Sequence, residues 1–295
     1  MKKKKFYILD VFAESKYSGN QLAVFTNAGD IPEDEMQKIA QEMNYSETTF
    51  ILSDNKVKGG YDVRIFTPAH EVPFAGHPTL GTAFVVNQEI AGGKEKEVIL
   101  NLKVGQIPVG FTYEGDSVEF LQMKQKEPTF HSIFDKDIIA QALNLNPVDV
   151  DPGFPVQEVS TGLPFIMAPL ISLDAVKRAV VDKNIFFGIV EKTEAKAILV
   201  FCPQTYEDDS DLNARVFVDY YGIPEDPATG SANGCLAGYL AKHKYFGSDS
   251  FKVRVEQGYE INRPSLLTLK AETKGDKIDV FVGGKVVMVA KGELC

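Results

Sequence analysis

The sequence lacks the short motifs that commonly bind cofactors. No glycine-rich dinucleotide fingerprint follows its first strand-like segment, and no phosphate-binding loop ends in Gly-Lys-Ser or Gly-Lys-Thr. It also has no Cys-x-x-Cys pair and no paired-histidine zinc motif. We therefore expect chemistry that needs no cofactor and no metal.

Cysteine and basic residues are both scarce. The three cysteines, Cys202, Cys235 and Cys295, have no metal-binding spacing, and an odd number of thiols is typical of the reducing cytosol. The 41 acidic residues outnumber the 31 basic ones, and the net charge of −10 argues against nucleic acid or an anionic membrane as a partner. No apolar stretch reaches transmembrane length, and no targeting segment is recognisable. We expect a cytoplasmic protein.

The length of 295 residues suits two domains rather than one small core. The composition shifts at residues 124–128, which separate a run of strand-like segments from a helical one. We predict a first domain over residues 1–127 and a second over residues 128–283. A last strand-like segment within residues 284–295 is predicted to return to the first domain.

An uncharged helix is predicted to organise the first domain. Residues 78–86 contain no charged side chain, and Pro78 stands where the first turn of a helix tolerates proline. Because a helix that is apolar on all sides is buried, we expect it to run through the interior, with its open N-terminus at Gly76 and His77. The unpaired N–H groups and partial positive charge of such an end form an anion site.

The same construction is repeated in the second half of the chain. Another strand-like segment, residues 216–221, precedes a second uncharged helix. This helix begins at Gly230 and Ser231, as the first begins at Gly76 and His77. Because Gly76 and Gly230 are 154 residues apart, about half of the chain, we predict a two-fold internal repeat.

The remaining segments predict an α+β fold. Apolar spacing predicts further helices at residues 31–43, 135–143 and 172–180. Short strands are predicted at residues 6–12, 22–25, 48–52, 61–66, 98–102, 106–113, 118–123, 155–160, 165–168, 185–190, 197–202, 251–256, 266–271 and 278–282. Because strands and helices do not alternate regularly, a doubly wound sheet is disfavoured. Two β-rich, barrel-like domains, each wrapped around a central buried helix, fit better, with both helix N-termini in the cleft between them.

Two titratable residues are candidates from the sequence alone. His77 stands at the mouth of a buried helix, although a single histidine is more often structural. Asp226 stands before Pro227, where a turn residue is the simplest interpretation. The repeat offset places Asp226 opposite Val72, so the predicted symmetry is broken by a carboxylate before the second helix. Glu47 follows a helix, as many solvated glutamates do, and local polarity does not single it out.

The motifs around these residues resemble the phenazine-biosynthesis isomerase (PhzF-like) family, which has the diaminopimelate epimerase-like fold. The resemblance is carried by Asp10-Val11-Phe12 with Gly19-Asn20, by Ser46-Glu47-Thr48, by Phe74-Ala75-Gly76-His77-Pro78-Thr79-Leu80-Gly81, and by Asp226-Pro227-Ala228-Thr229-Gly230-Ser231-Ala232. It implies two pseudo-symmetric barrels with an active site between them, and it suggests a homodimer.

The resemblance also implies roles for individual residues. It makes Glu47 the general acid/base, with His77 and Asp226 assisting. Related epimerases and racemases place one cysteine at the start of each buried helix, where this sequence has glycines, and Cys235 lies about one turn further on. Two-cysteine racemisation is therefore disfavoured. Gln21, where many relatives have proline, is expected to affect a turn more than the chemistry. The residues implied to line the site are Gly76, Gly230 and Ser231.

The leading hypothesis is a cofactor-independent isomerase related to trans-2,3-dihydro-3-hydroxyanthranilate isomerase, with its own substrate left open. Glu47 would take a proton from carbon and return it elsewhere on the same face, and a pKa raised by closure of the cleft would suit both steps. The helix N-termini would hold the carboxylate of a small-molecule substrate. One alternative is a small-molecule binding protein with the same cleft and no turnover. Another is an epimerase or racemase that depends on thiols.

Overall fold

The computed structural model describes residues 3–295, which form two compact units. The first unit runs to Lys124 and resumes at Gly283–Cys295, whereas the second is the continuous segment Gln125–Val282. Both units are rich in β-strands. Within residues 3–295, no helix is long and apolar enough to cross a membrane.

Strands dominate the chain up to Lys124. They are β1 (Lys4–Val11), β2 (Asn20–Phe25), β3 (Glu47–Ile51), β4 (Tyr61–Phe66), β5 (Glu71–Val72), β6 (Glu97–Leu102), β7 (Gly105–Glu114) and β8 (Ser117–Lys124). The helices of this part are α1 (Glu33–Met43) and α2 (Gly76–Val85), and α2 continues into a π-helical turn, Val86–Ile90.

The rest of the chain also consists mainly of strands. Its strands are β9 (Thr129–Phe134), β10 (Val156–Ser160), β11 (Pro164–Pro169), β12 (Ile198–Cys202), β13 (Leu212–Phe217), β14 (Glu225–Asp226), β15 (Phe251–Gln257), β16 (Ser265–Lys274), β17 (Lys277–Gly284) and β18 (Val286–Leu294). Its helices are α3 (Lys136–Ala142), α4 (Leu173–Arg178), α5 (Lys183–Val190) and α6 (Gly230–Lys242), with short 3₁₀ turns at Pro147–Asp149, Asp219–Tyr221 and Tyr259–Ile261.

The two units share one strand order. In the first unit the paired strands run β18-β1-β2-β3-β4-β6-β7-β8, and the β2–β3 and β4–β6 pairs are parallel. In the second unit they run β9-β10-β11-β12-β13-β15-β16, and the β11–β12 and β13–β15 pairs are parallel. The short strands β5 and β14 pair with β4 and β13. This common topology confirms the two-fold repeat that the glycine spacing predicts.

Each unit contains one helix that is buried almost all round, because its residues carry hardly any charge. Nine of the ten residues of α2 are buried, and α2 contacts β1, β2, β3, β6, β7 and β8. Eleven of the thirteen residues of α6 are buried, and α6 contacts β10, β11 and β16. The mixed, sheet-rich architecture agrees with the predicted α+β class.

Small side chains bring α2 close to its sheet. A Cβ added at Gly81 would lie 2.5 Å from Leu22 Cδ2 and 2.9 Å from Val11 Cγ2, closer than carbon atoms approach. The hydroxyl oxygens of Thr49 on β3 and Thr82 on α2 are 2.8 Å apart and buried. These contacts fix the middle of α2 relative to β1, β2 and β3.

Two predicted strands are wrong. Residues 185–190 belong to α5, because the Asp182 side chain accepts hydrogen bonds from the backbone N–H groups of Asn184 and Ile185 and thereby caps a helix. Residues 216–221 are a strand only at their start, since β13 ends at Phe217 and a 3₁₀ turn follows, closed by Gly222 at a φ of 88°. In addition, β9 was not predicted from the sequence.

Candidate active site

Glu47 lies at the start of β3, at the edge of the first unit's core. Asn44 ends α1 in the left-handed conformation, at a φ of 53°, and the chain then turns into β3. β3 runs parallel to β2, with Leu22 opposite Glu47. The Glu47 side chain is only 18% exposed. The Glu47 carboxyl is therefore not a solvated surface charge.

His77, the second residue of α2, contacts Glu47. Its Nε2 lies 3.3 Å from Oε2 of Glu47, and its side chain is 5% exposed. Burial lowers the pKa of His77 from 6.5 to about 3, despite a hydrogen bond to the backbone of Gln21 that raises it. His77 is therefore neutral at pH 7, and the two side chains do not form a salt bridge.

The surroundings of His77 determine its tautomer. Within the described residues Nε2 makes no hydrogen bond, so the bond to Gln21 uses Nδ1. Because that bond raises the pKa of His77, the backbone carbonyl of Gln21 is the acceptor and Nδ1–H is the donor. Nε2 then presents a lone pair to the Glu47 carboxyl. Gln21 thus contributes to this site through its backbone, whereas the sequence indicated an effect on a turn.

Asp226 lies shortly before α6 in the second unit. It is the last residue of β14 and is 8% exposed, and its Oδ2 accepts a hydrogen bond from the Thr229 hydroxyl. Thr229 immediately precedes Gly230 and Ser231, the first residues of α6. The second unit therefore brings Asp226, Gly230 and Ser231 together, as the first brings together Glu47, Gly76 and His77.

Both buried helices begin without a side-chain cap. Ala75 precedes α2 and has no side-chain acceptor, and the Thr229 hydroxyl binds Asp226 instead of the first turn of α6. The N–H groups at Gly76 and at Gly230 and Ser231 are thus not capped by the preceding side chain, as an anion site at each helix N-terminus requires.

An arginine–glutamate pair precedes each of the two buried helices. Arg64 on β4 donates two hydrogen bonds, of 2.8 and 2.6 Å, to Glu71 on β5. Arg215 on β13 donates two, of 3.0 and 2.7 Å, to Glu225 on β14. Such bidentate pairs hold both partners in one orientation. They fix the short strands from which the chain continues into α2 and α6.

Strand register shows which residues of the two units correspond. Ile65 of β4 pairs with Val72 of β5, and Val216 of β13 pairs with Asp226 of β14. Because the arginine–glutamate pairs lie at matching positions on these strands, Asp226 corresponds to Val72. The structure therefore supports the same correspondence as the sequence offset.

Glu47 also has a counterpart in the second unit, and it is not acidic. Thr48 of β3 pairs with Phe66, and Ile198 of β12 pairs with Phe217. The residue before Thr48 is Glu47, and the residue before Ile198 is Ala197. The acid at this strand position belongs to the first unit alone, and the carboxylate before the buried helix belongs to the second.

Gln257 was missed by sequence reasoning. It is fully buried at the end of β15, and its side-chain amide hydrogen-bonds to Asp226 and Thr229. No local pattern marks it, because it lies 31 residues beyond Asp226 and comes close only through the pairing of β13 with β15.

Cys235 has the surroundings of a core residue. It is fully buried, its Sγ donates to the carbonyl of Leu163 at 3.4 Å, and burial raises its thiol pKa to about 12. Its thiolate is therefore scarce at neutral pH. Among residues 3–295, no group of three or more histidines, cysteines or acids is arranged to hold a metal ion.

Comparisons with known proteins define first the fold and then the family. A phenazine biosynthesis protein of the PhzF family from Bacillus anthracis has a crystal structure that matches this one with a TM-score of 0.90 and 26% identity, over 100% of both chains. A hydroxyproline epimerase from Agrobacterium vitis matches with a TM-score of 0.64 and 11% identity, over 99% of this chain and 92% of its own, which is a likeness in fold alone. The fold is thus the mixed, sheet-rich α/β fold of these proteins.

The family is defined by sequence. The family model described as phenazine biosynthesis-like protein (PhzC-PhzF) matches residues 9–292, so the chain belongs to this family. The trans-2,3-dihydro-3-hydroxyanthranilate isomerase of Pseudomonas fluorescens is 35% identical over 294 residues, which are 98% of this chain and 98% of its own. Such relatives support an isomerase.

Proposed function

We propose that the protein is a cofactor-independent isomerase in which Glu47 alone moves a proton on a small carboxylate-bearing substrate. The observation that carries this proposal is the contact between Glu47 and a neutral His77, 3.3 Å apart and shielded from water. A one-base reaction needs a group that accepts a proton from carbon and then returns it, and a positioned carboxyl can do both.

The neutral His77 supports this role of Glu47. Its Nε2 lone pair accepts a hydrogen bond from the protonated carboxyl, which favours the state reached after Glu47 has taken the substrate proton. With a pKa of about 3, His77 does not compete for that proton at neutral pH. The proton therefore stays on Glu47 until it returns to carbon.

The asymmetry of the repeat favours one base over two. The position of Glu47 in the second unit is taken by Ala197, whose side chain has nothing to titrate. A two-base mechanism would place an acid on each face of the substrate, and a thiol pair is disfavoured by the buried Cys235. This asymmetry supports transfer and return of the proton by the same group.

The uncapped helix N-termini favour an anionic substrate. We propose that the N–H groups at Gly76, Gly230 and Ser231 bind its carboxylate, since a helix N-terminus attracts negative charge. Asp226 would then orient or polarise the substrate beside them.

The decisive variant is Glu47→Gln, which keeps the size of the side chain and removes its titratable group. We expect substrate binding to survive, while exchange of substrate hydrogen with solvent deuterium falls by at least about 10²–10⁴-fold. Glu47→Asp withdraws the carboxyl by about 1 Å and should also lose activity. The compound named by the Pseudomonas fluorescens relative is the first trial substrate, with deuterium incorporation followed by NMR.

Glu42→Gln is the matched control, since it makes the same chemical change at an exposed position on α1. Near-normal exchange by Glu47→Gln would place the base elsewhere and make Asp226 the next candidate. A binding protein without turnover would incorporate no deuterium even as wild type. A thiol-dependent epimerase would instead lose its exchange on thiol modification.

A further inference from the structure

The side-chain amide of Gln257 makes four hydrogen bonds around the N-terminus of α6. Its Nε2 donates to the carbonyl of Asp226 at 2.8 Å and to the Thr229 hydroxyl at 3.1 Å. Its Oε1 accepts from the backbone N–H of Thr229 at 3.2 Å and from Asn233 Nδ2 at 2.8 Å. Both polar atoms of this fully buried amide therefore hydrogen-bond to the segment that carries Asp226.

The orientation of this amide is fixed by its backbone partners. A backbone N–H only donates and a backbone carbonyl only accepts, so Oε1 must face Thr229 and Nε2 must face Asp226. The flipped amide would set donor against donor and acceptor against acceptor. Asn233 agrees with this orientation, because its Nδ2 also donates to the carbonyl of Thr229, at 3.1 Å.

The fixed amide gives the Thr229 hydroxyl a direction. Nε2 can only donate to Thr229 Oγ1, so the single hydroxyl proton of Thr229 is left for Asp226 Oδ2, 2.5 Å away. A hydrogen bond from a neutral donor to a carboxylate is among the stronger ones in proteins. The order of donation thus runs from Gln257 through Thr229 to Asp226.

Gly258 allows this approach. It has a φ of +79°, and a Cβ there would lie 2.6 Å from the carbonyl oxygen of Pro227 and 2.4 Å from that of Arg263. A side chain at this position would push the end of β15 away from the segment between Asp226 and α6. Gln257 and Gly258 together therefore hold that segment at short range.

We propose that Gln257 is a positioning residue for the reaction, acting through Thr229 to aim the Asp226 carboxylate. The same amide occupies the N–H of Thr229, which leaves the N–H groups of Gly230 and Ser231 as the ones presented to substrate. The inference rests on the proposed function, because it assumes that Asp226 acts in the isomerisation.

The test compares Thr229→Val with Thr229→Ser. Valine keeps the branched shape and the backbone N–H but removes the hydroxyl, whereas serine keeps the hydroxyl. We expect Thr229→Val to lower kcat by about 10- to 100-fold with a smaller change in KM, since a hydrogen bond to a charged group is lost. Thr229→Ser should restore most of kcat. Thermal unfolding of each variant identifies losses that come from the fold, and equal kcat values for the two would overturn the proposal.

A double-mutant cycle shows whether Thr229 acts through Asp226. In the Asp226→Asn background, adding Thr229→Val should cost less than about threefold, because the two changes disrupt one interaction. A full 10-fold loss of kcat in that background would show that Thr229 does not act through Asp226. Gln257→Glu, which keeps the shape and removes the amide donor, should show the same coupling to Asp226→Asn. If this buried variant fails to fold, Gln257→Met, which removes both polar atoms at similar size, takes its place in the cycle, and additive losses with Asp226→Asn would overturn the positioning role.

The cycle also separates the two proposals. Unchanged exchange by Asp226→Asn would contradict the assumed role of Asp226 and, with it, the positioning role of Gln257. A loss with Asp226→Asn but not with Thr229→Val would leave the proposed function standing and overturn the positioning role alone.

Discussion

His77 makes the stability of the protein depend on pH. The pKa of His77 is 6.5 in an unfolded chain and about 3 in the fold. Between these two pH values the imidazole is therefore protonated in the unfolded state and neutral in the folded state. Stability from this source is complete above pH 6.5 and is lost as the pH falls towards 3. At pH 5 the loss amounts to about 2 kcal/mol.

Urea unfolding at pH 7 and pH 5 measures this effect. We expect wild type to lose about 2 kcal/mol more than His77→Asn between the two pH values, because asparagine does not titrate. Ionisable groups remote from residue 77 are common to both proteins and cancel in the comparison. Equal losses would show that His77 is protonated in the fold.

Cys235 provides a second test at the scale of one residue. Cys235→Ala removes a buried thiol and should cost about 1–3 kcal/mol of stability while turnover stays largely intact. Consistently, a thiol reagent should modify the exposed Cys295 in the native protein without abolishing activity, since Cys202 and Cys235 are buried. A folded but inactive Cys235→Ala variant would reopen thiol chemistry.

At the scale of elements, the fit of α2 against its sheet depends on Gly81. Gly81→Ala forces a methyl group against Leu22 and Val11, and such overpacking costs about 1–3 kcal/mol. Gly188→Ala is the matched control, because Gly188 lies on α5 with no atom within 4 Å of its added Cβ. That change should stabilise the protein by up to about 1 kcal/mol. Thermal unfolding distinguishes the two, and equal shifts would contradict the close fit of α2.

Secondary structure was predictable where periodicity or charge was clear. The uncharged α2 and the alternating strand β4 were found within a residue or two, because their patterns depend only on local sequence. The strand predicted at residues 185–190 failed because an apolar run suits both a buried strand and a helix, and the deciding signal was the cap at Asp182. The strands β5 and β14 are too short to show an alternating pattern in the sequence. Each is held by a bidentate pair between its glutamate and an arginine on the neighbouring strand.

Some residues of the candidate site could be predicted from the sequence, and others could not. The position at the mouth of a buried helix led to His77, and the glycine offset led to Asp226, while Glu47 was known only through the family resemblance. Neither the sequence pattern nor the resemblance indicated the tautomer of His77 or the hydrogen bonds of the Gln257 side chain. The first depends on the packing of α2 against β2 and the second on the pairing of β13 with β15, and both bring together residues far apart in sequence.

At the scale of the whole molecule, the proposed function predicts which amides a bound substrate protects. We expect a substrate bound to Glu47→Gln to slow amide hydrogen exchange at the start of α2 and at the start of α6, because both helix N-termini would bind it. Amides of α5 serve as the internal control. Absence of protection at either helix start would contradict the proposed binding of the substrate there.

The pairing of β18 with β1 has a consequence for how the chain is made. β1 is made before Gln125–Val282, but its neighbour β18, Val286–Leu294, is made only after the whole of that segment. The second unit is continuous, whereas the first keeps an open strand edge on β1 throughout the synthesis of Gln125–Val282, although domains usually fold in the order of their synthesis. Until Val286–Leu294 arrives, that edge is open to pairing with other nascent chains.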